Sequence, residues 1–151
     1  MLVAICDNWK YRDEIIDTYE AELRGKGTRC DRICLDLYQP SLKRSLREHL
    51  EQQPELSASP AAVVTVLRAD ELLGLHLDED KSALERFFFS LQWTRESLRE
   101  FQLPLVLWLT PWIAAQLADK APDFWSWRGG VFEFSQPIDW ALAPEGSQNP
   151  E

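Results

Sequence analysis

Hydrophobic positions along the chain switch repeatedly between a short continuous run and a helical period. "LVAIC" (2–6) is a branched apolar run of the length of a buried strand. After "DNW", Ile15, Ile16, Tyr19 and Leu23 share one helical face and predict a helix over 11–24, stopped by Gly25 and Gly27. "RICLDLY" (32–38) reads as a second strand. In "PSLKRSLREHLEQQ", Leu42, Leu46 and Leu50 then recur every fourth residue as an amphipathic stripe. "SASPAA" predicts a loop into a third strand, "AVVTVL" (62–67). A long helix is predicted over 78–102, with Asp78, Glu79 and Asp80 at the positive end of its dipole and Leu84, Phe87, Phe88, Leu91, Leu98 and Phe101 as its core stripe. "LVLWL" (105–109) is the most continuous apolar strand. Thr110-Pro111 then gives an N-cap and a first-turn proline for a helix to about 121. "GVFEF" (130–134) supplies a fifth strand.

The order βαβαβαβαβ predicts an α/β fold: a three-layer open sheet of about five parallel strands with helices on both faces, P-loop-NTPase-like or Rossmann-like. A single domain over 1–137 accommodates all of it. Residues 138–151, ending in the breaker-rich "PEGSQNPE", read as a linker or disordered tail.

Charge and composition narrow the functional classes. Sixteen basic against twenty-five acidic residues give a formal net charge of −9, a field that repels phosphate backbones and argues against nucleic acid as a partner. Lys43, Arg44 and Arg47 share their helix with Glu48 and Glu51, a mixed solvated face. No apolar run reaches the ~20 residues of a membrane helix, so no membrane partner is expected. Cys6, Cys30 and Cys34 are odd in number, and Cys30 and Cys34 stand about 13 Å apart along one strand. A reduced, cytoplasmic protein is the expectation. With His49 and His76 they form no metal-ligand spacing, and no metal or cofactor is expected.

In open parallel sheets, ligands collect at the carboxyl ends of the strands. The candidates for that rim are Asp7 and Asn8 after the first strand, Asp36 within the second, Asp70 and Glu71 after the third and Thr110 after the fourth. Converging carboxylates suit Mg²⁺. A phosphate loop requires glycines between strand and helix, yet "CDNWKYRDEI" has none, and G-x-G-x-x-G is absent throughout. "GKGT" (25–28) follows a helix and reads as its C-cap. "VVTVLRADELL" compares with a Walker B strand, although an acid after an apolar strand is equally the ordinary start of a loop.

The stretch "LPLVLWLTPWIAAQLADKAPDFWSWRGGVFEF" (103–134), with "ALERFFFSLQWTRESLREFQ" before it, resembles a segment of bacterial, notably cyanobacterial, multidomain signalling proteins. Those carry a P-loop-NTPase-like α/β domain beside STAND-type ATPase modules or tetratricopeptide repeats. The resemblance implies that Thr110 occupies the position that senses a γ-phosphate in active cores. With the phosphate loop missing, it implies a degenerate, non-hydrolysing core used for assembly or signal relay.

Two aromatic groups need a role. Phe124, Trp125 and Trp127 in "APDFWSWRGG" read as a structural seal over one end of the sheet, with Asp123 and Arg128 bracketing it. Phe89 and Trp93 lie one turn apart, opposite the core stripe of the long helix, and mark a candidate interface to a second copy or to another domain of a parent protein. A non-enzymatic interaction module is therefore the first reading. The alternatives are a receiver-like phosphoacceptor using Asp7, Asp70 and Thr110, with Gln136-Pro137 in place of Lys-Pro, and a TIR-like NAD-consuming domain.

Overall fold

A computed structural model describes residues 1–74 and 82–136, residues 93–95 by their backbone alone. Five strands form one parallel sheet: β1 (Leu2–Cys6), β2 (Arg29–Cys34), β3 (Ala62–Leu67), β4 (Leu105–Leu109) and β5 (Gly130–Phe134). Their spatial order is β2-β3-β4-β1-β5. The connecting helices are α1 (Trp9–Gly25), α2 (Leu42–Gln52), α3 (Glu55–Ala58), α4 (Ala83–Phe101), α5 (Pro111–Lys120) and α6 (Pro122–Trp127). The α/β three-layer sheet expected from the hydrophobic pattern is the observed architecture.

Chain direction fixes which face each helix covers. The β1-to-β2 connection moves one way across the sheet and every later connection moves the other way, so right-handed crossovers separate α1 from the rest. Strand alternation shows the result. Val3, Ile5, Val64, Val66, Leu105, Leu107 and Leu109 join α2, α4, α5 and α6 in the main core. Ala4, Cys6 and Trp108 point the other way and pack with Ile16 of α1.

Several boundaries differ from the sequence reading. The second strand starts and ends earlier than 32–38. The Asp36 carboxylate accepts from the Tyr38 and Gln39 amides (2.8 and 3.2 Å), and this turn places Asp36 beyond the strand. Asp78, Glu79 and Asp80 lie outside the described residues. The described α4 begins instead with a capping box, the Ser82 hydroxyl and the Glu85 carboxylate each accepting the other residue's amide. Pro122 does not merely end a helix; it opens α6 at its first position. "GKGT" is indeed a helix terminus: Gly27 has φ +87°, and Thr28 N–H reaches Leu23 C=O (2.9 Å) in a Schellman turn.

Beneath α1 lies a polar network that the hydrophobic pattern did not announce. Glu20 is fully buried, and its carboxylate accepts from Arg32 (2.8–3.1 Å) and Arg24 (3.3 Å). Thr65, also fully buried, bonds Tyr19 Oη (2.5 Å). Burial and the neighbouring Glu20 push the Tyr19 hydroxyl pKa up, while bonds from Thr65 and Trp108 oppose that.

Candidate functional site

The first and fourth strands are neighbours, and each ends by starting a helix. The N-termini of α1 and α5 therefore open side by side at one rim. Both ends are already capped. Asn8 Oδ1 accepts from Tyr11 N (3.0 Å), and Thr110 Oγ1 accepts from Ile113 N (3.4 Å). Asn8 also donates its side-chain amide to Gln136 Oε1 (3.2 Å) at the exit of β5.

Between them is a cavity of about 90 Å³ lined by Cys6, Asp7, Trp9, Arg12, Asp70 and Thr110, among others. Arg12, from the first turn of α1, bonds Asp13 (3.0 Å) and reaches across to Asp70 (3.5 Å). β4 lies between β1 and β3, which sets the backbones of Asp7 and Asp70 roughly 10 Å apart at ordinary strand spacing. Arg12, bonded to Asp13, reaches Asp70 from the α1 side of that gap and sets a positive charge beside the rim carboxylates.

Of the six rim candidates, the structure brings Asp7, Asp70 and Thr110 to this cavity and puts Asn8 beside it. Asp36 and Glu71 do not join them. Asp36 is held in its own turn, and Glu71 pairs with Arg68 (2.9 Å). Arg12 was missed by sequence reasoning. Its signal was position: four residues after the Asn8 cap, on the first turn, it looks back over the rim.

The arrangement suits no bulky anion. Small-molecule pockets usually exceed ~300 Å³, and one donor at each helix end, Tyr11 N–H and Ile113 N–H, is held by a side-chain cap, with Asp7 and Asp70 lining the cavity between them. Among the described residues, no three His, Cys, Asp or Glu side chains cluster as metal ligands. His76 lies outside the described residues.

The two aromatic groups separate in character. Phe124 is buried in the main core, with Trp127 against it (ring centroids 6.1 Å apart) and only partly covered. Asp123 and Arg128 bracket the turn from its two ends and not as an ion pair: Asp123 lies in the first turn of α6, and Arg128 stacks on Trp125 (4.3 Å to the ring centroid) and caps the helix by donating to the Trp125 carbonyl (2.6 Å). Phe89 is exposed on α4, while the Trp93 side chain lies outside the described residues. Trp9 and Trp112, which open α1 and α5, are also exposed.

What fold and rim define together is an open parallel α/β domain with a small cavity at the carboxyl ends of its strands, lined in part by Arg12 and Asp70. No known family model, curated protein or solved structure matches the chain. Among the described residues, no helix is long and apolar enough to cross a membrane.

Proposed function

We propose that this chain is a non-hydrolysing interaction module on a degenerate NTPase-like α/β core. It acts through protein contacts, with itself or with another domain of a larger signalling protein of the STAND or tetratricopeptide-repeat kind. The observation that carries this reading is the Arg12–Asp70 pair across a small, glycine-free mouth. It supports a site closed by its own side chains. Exposed Phe89, with Trp93 one turn on, supports contact by the outer face of α4.

The receiver alternative fits the topology less well. Receivers follow the flavodoxin-like order 2-1-3-4-5, in which the first strand lies between the second and third. Here β1 lies between β4 and β5. The dinucleotide-binding order 3-2-1-4-5-6 differs as well. Calorimetric titration with Mg-ATP, with inorganic phosphate and with NAD checks the closed mouth. No micromolar binding is expected from any of them. A saturable micromolar isotherm with Mg-ATP that disappears in Asp70→Asn would overturn the reading.

A further inference from the structure

β2 is one edge of the sheet. Its ladder with β3 runs through alternate residues: Arg29 N–H reaches Ala61 C=O (3.0 Å), and Leu35 N–H reaches Leu67 C=O (3.1 Å). The residues between those bonding positions, Cys30, Arg32 and Cys34, turn their main-chain groups outward. The Cys30 carbonyl accepts from the Arg24 guanidinium (3.2 Å). Among the described residues, nothing bonds the outward main chain of Arg32 or Cys34. These groups form a short open template for another strand.

α2 stands beside this edge. Leu42 and Leu46 face the core, while Ser45, Glu48, His49 and Gln52, at helical spacing, look out past β2. With Asp36 and the outward edge of Arg32 and Cys34 they line a cavity of about 200 Å³. Its charge is negative. The Arg32 guanidinium is turned to the opposite face, bonded to Glu20 and Asp17 (2.8 and 2.7 Å). Asp36 and Glu48 remain, and Glu48 shares only a solvent-exposed pair with Arg44 (2.8 Å), a weak competitor.

We propose that this edge takes up an extended peptide segment of a partner protein by strand addition, with Lys or Arg at the positions that face α2. The open amides and carbonyls of Arg32 and Cys34 supply the main-chain bonds, and alternate side chains of the peptide enter the cavity toward Asp36 and Glu48. Five extended residues, about 17 Å, cover the outward positions from Cys30 to Cys34. A second copy fits less well. Two-fold pairing of β2 with itself about Arg32 sets that arginine against its own copy and joins two chains of net charge −9. The inference is independent of the function proposed above and uses a different surface from α4.

The test uses the full chain and two fluorescent heptapeptides, Thr-Lys-Val-Lys-Thr-Lys-Val and its counterpart with glutamate in place of lysine, read by anisotropy. Saturable sub-millimolar binding is expected from the lysine peptide, and binding at least roughly tenfold weaker from the glutamate one. N-methylation of one alternate set of the lysine peptide's amides should abolish binding, and N-methylation of the other set should spare it, since only one set faces β2. Hydrogen exchange at the Arg32 and Cys34 amides should slow in the complex. Glu48→Lys, at an exposed helical position, should weaken binding at least roughly tenfold, while Glu14→Lys on the exposed side of α1 should not. Equal losses in the two charge variants, or equal binding by the two methylated peptides, would reduce the contact to diffuse attraction and overturn the proposal. So would tighter binding of the glutamate peptide, or no saturable binding by either.

Discussion

The two faces of the sheet are held by different chemistry. The α2–α6 face is a conventional apolar core in which Phe87, Leu91, Leu107, Ile113 and Phe124 are almost completely buried. The α1 face has one helix, a small apolar cluster around Ile16 and Trp108, and the Glu20–Arg32 pair, its carboxylate buried and its guanidinium partly exposed. One face gains stability from area removed from water. The other gains orientation from directed bonds, because a lone diagonal helix has little area with which to fix its own angle. A buried ion pair is a weak source of net stability, but breaking one partner away is costly. The α1 face should therefore respond to which residue is removed more than to how much volume is removed.

The sharpest way to break the contrast is on the apolar side. Phe124→Ala should destabilise the domain by about 3–5 kcal/mol, read from denaturant midpoints. Trp127→Ala should cost clearly less, because that indole is only partly covered. Equal losses would make Trp127 the true anchor of the seal. On the polar side, Arg32→Ala should cost about 1–2 kcal/mol, less than a fully buried pair would lose, because Arg24 and Thr65 still reach Glu20. A paired Glu20→Leu, Arg32→Met replacement should recover most of that loss. If the double variant is no more stable than the single, Glu20 and Arg32 act through separate neighbours, and the polar face is not organised by this pair.

A smaller effect distinguishes the sheet edge from both faces. The Asp31 carboxyl is held below the usual carboxylate range, chiefly by its bond from Arg29 and also by His49 at 2.7 Å. A depressed folded pKa contributes stability that is present above the unfolded value of about 3.9 and is lost as pH falls through the folded value. Asp31→Asn should thus lower stability by about 1 kcal/mol at pH 7. The gap between wild type and variant should narrow as pH falls below the unfolded value of about 3.9 and through the lower folded one. A gap that persists unchanged at pH 2.5 would assign the effect to shape alone. Smallest of all should be Phe89→Ser, alone or with Trp93→Ser, which should leave the melting temperature of the monomer nearly unchanged. In sedimentation of wild type and double variant over a concentration series, the same change should weaken the proposed self-association by upwards of ~2 kcal/mol. A collapse of the monomer would place the pair in the core instead.

The strands were legible because each carries a continuous branched run, and "AVVTVL", "LVLWL" and "GVFEF" end where their patterns end. The second strand slipped because its borders are set by polar turn chemistry at Asp36 and by ladder bonds such as Arg29 N–H to Ala61 C=O (3.0 Å), neither of which has a hydrophobic period. Glu20 was not read: it shares the inward stripe with Ile16, but nothing apolar marks it, and its partner Arg32 lies on a strand that only the fold brings beneath the helix. The rim was half visible. The missing glycines were plain in "CDNWKYRDEI", but the Arg12–Asp70 contact joins two positions far apart in the chain and depends on the strand order. Spatial order leaves no local trace in a sequence, so it could not have been read there.

That order also shapes how the domain comes into being. β1 opposes β4 and β5, Leu2 standing across from Val106 on one side and Gly130 on the other. A chain emerging from synthesis presents its apolar first strand long before either neighbour exists, while β2 and β3 can already meet. Contacts this distant along the chain slow folding, because a long loop must close before any bond rewards it. "LVAIC" therefore waits with both ladder edges open, the condition in which strands find wrong partners. β1, an interior strand of the finished sheet, is thus set in place only after β4 exists, and a nascent chain of this protein has its strongest need of a chaperone over "LVAIC".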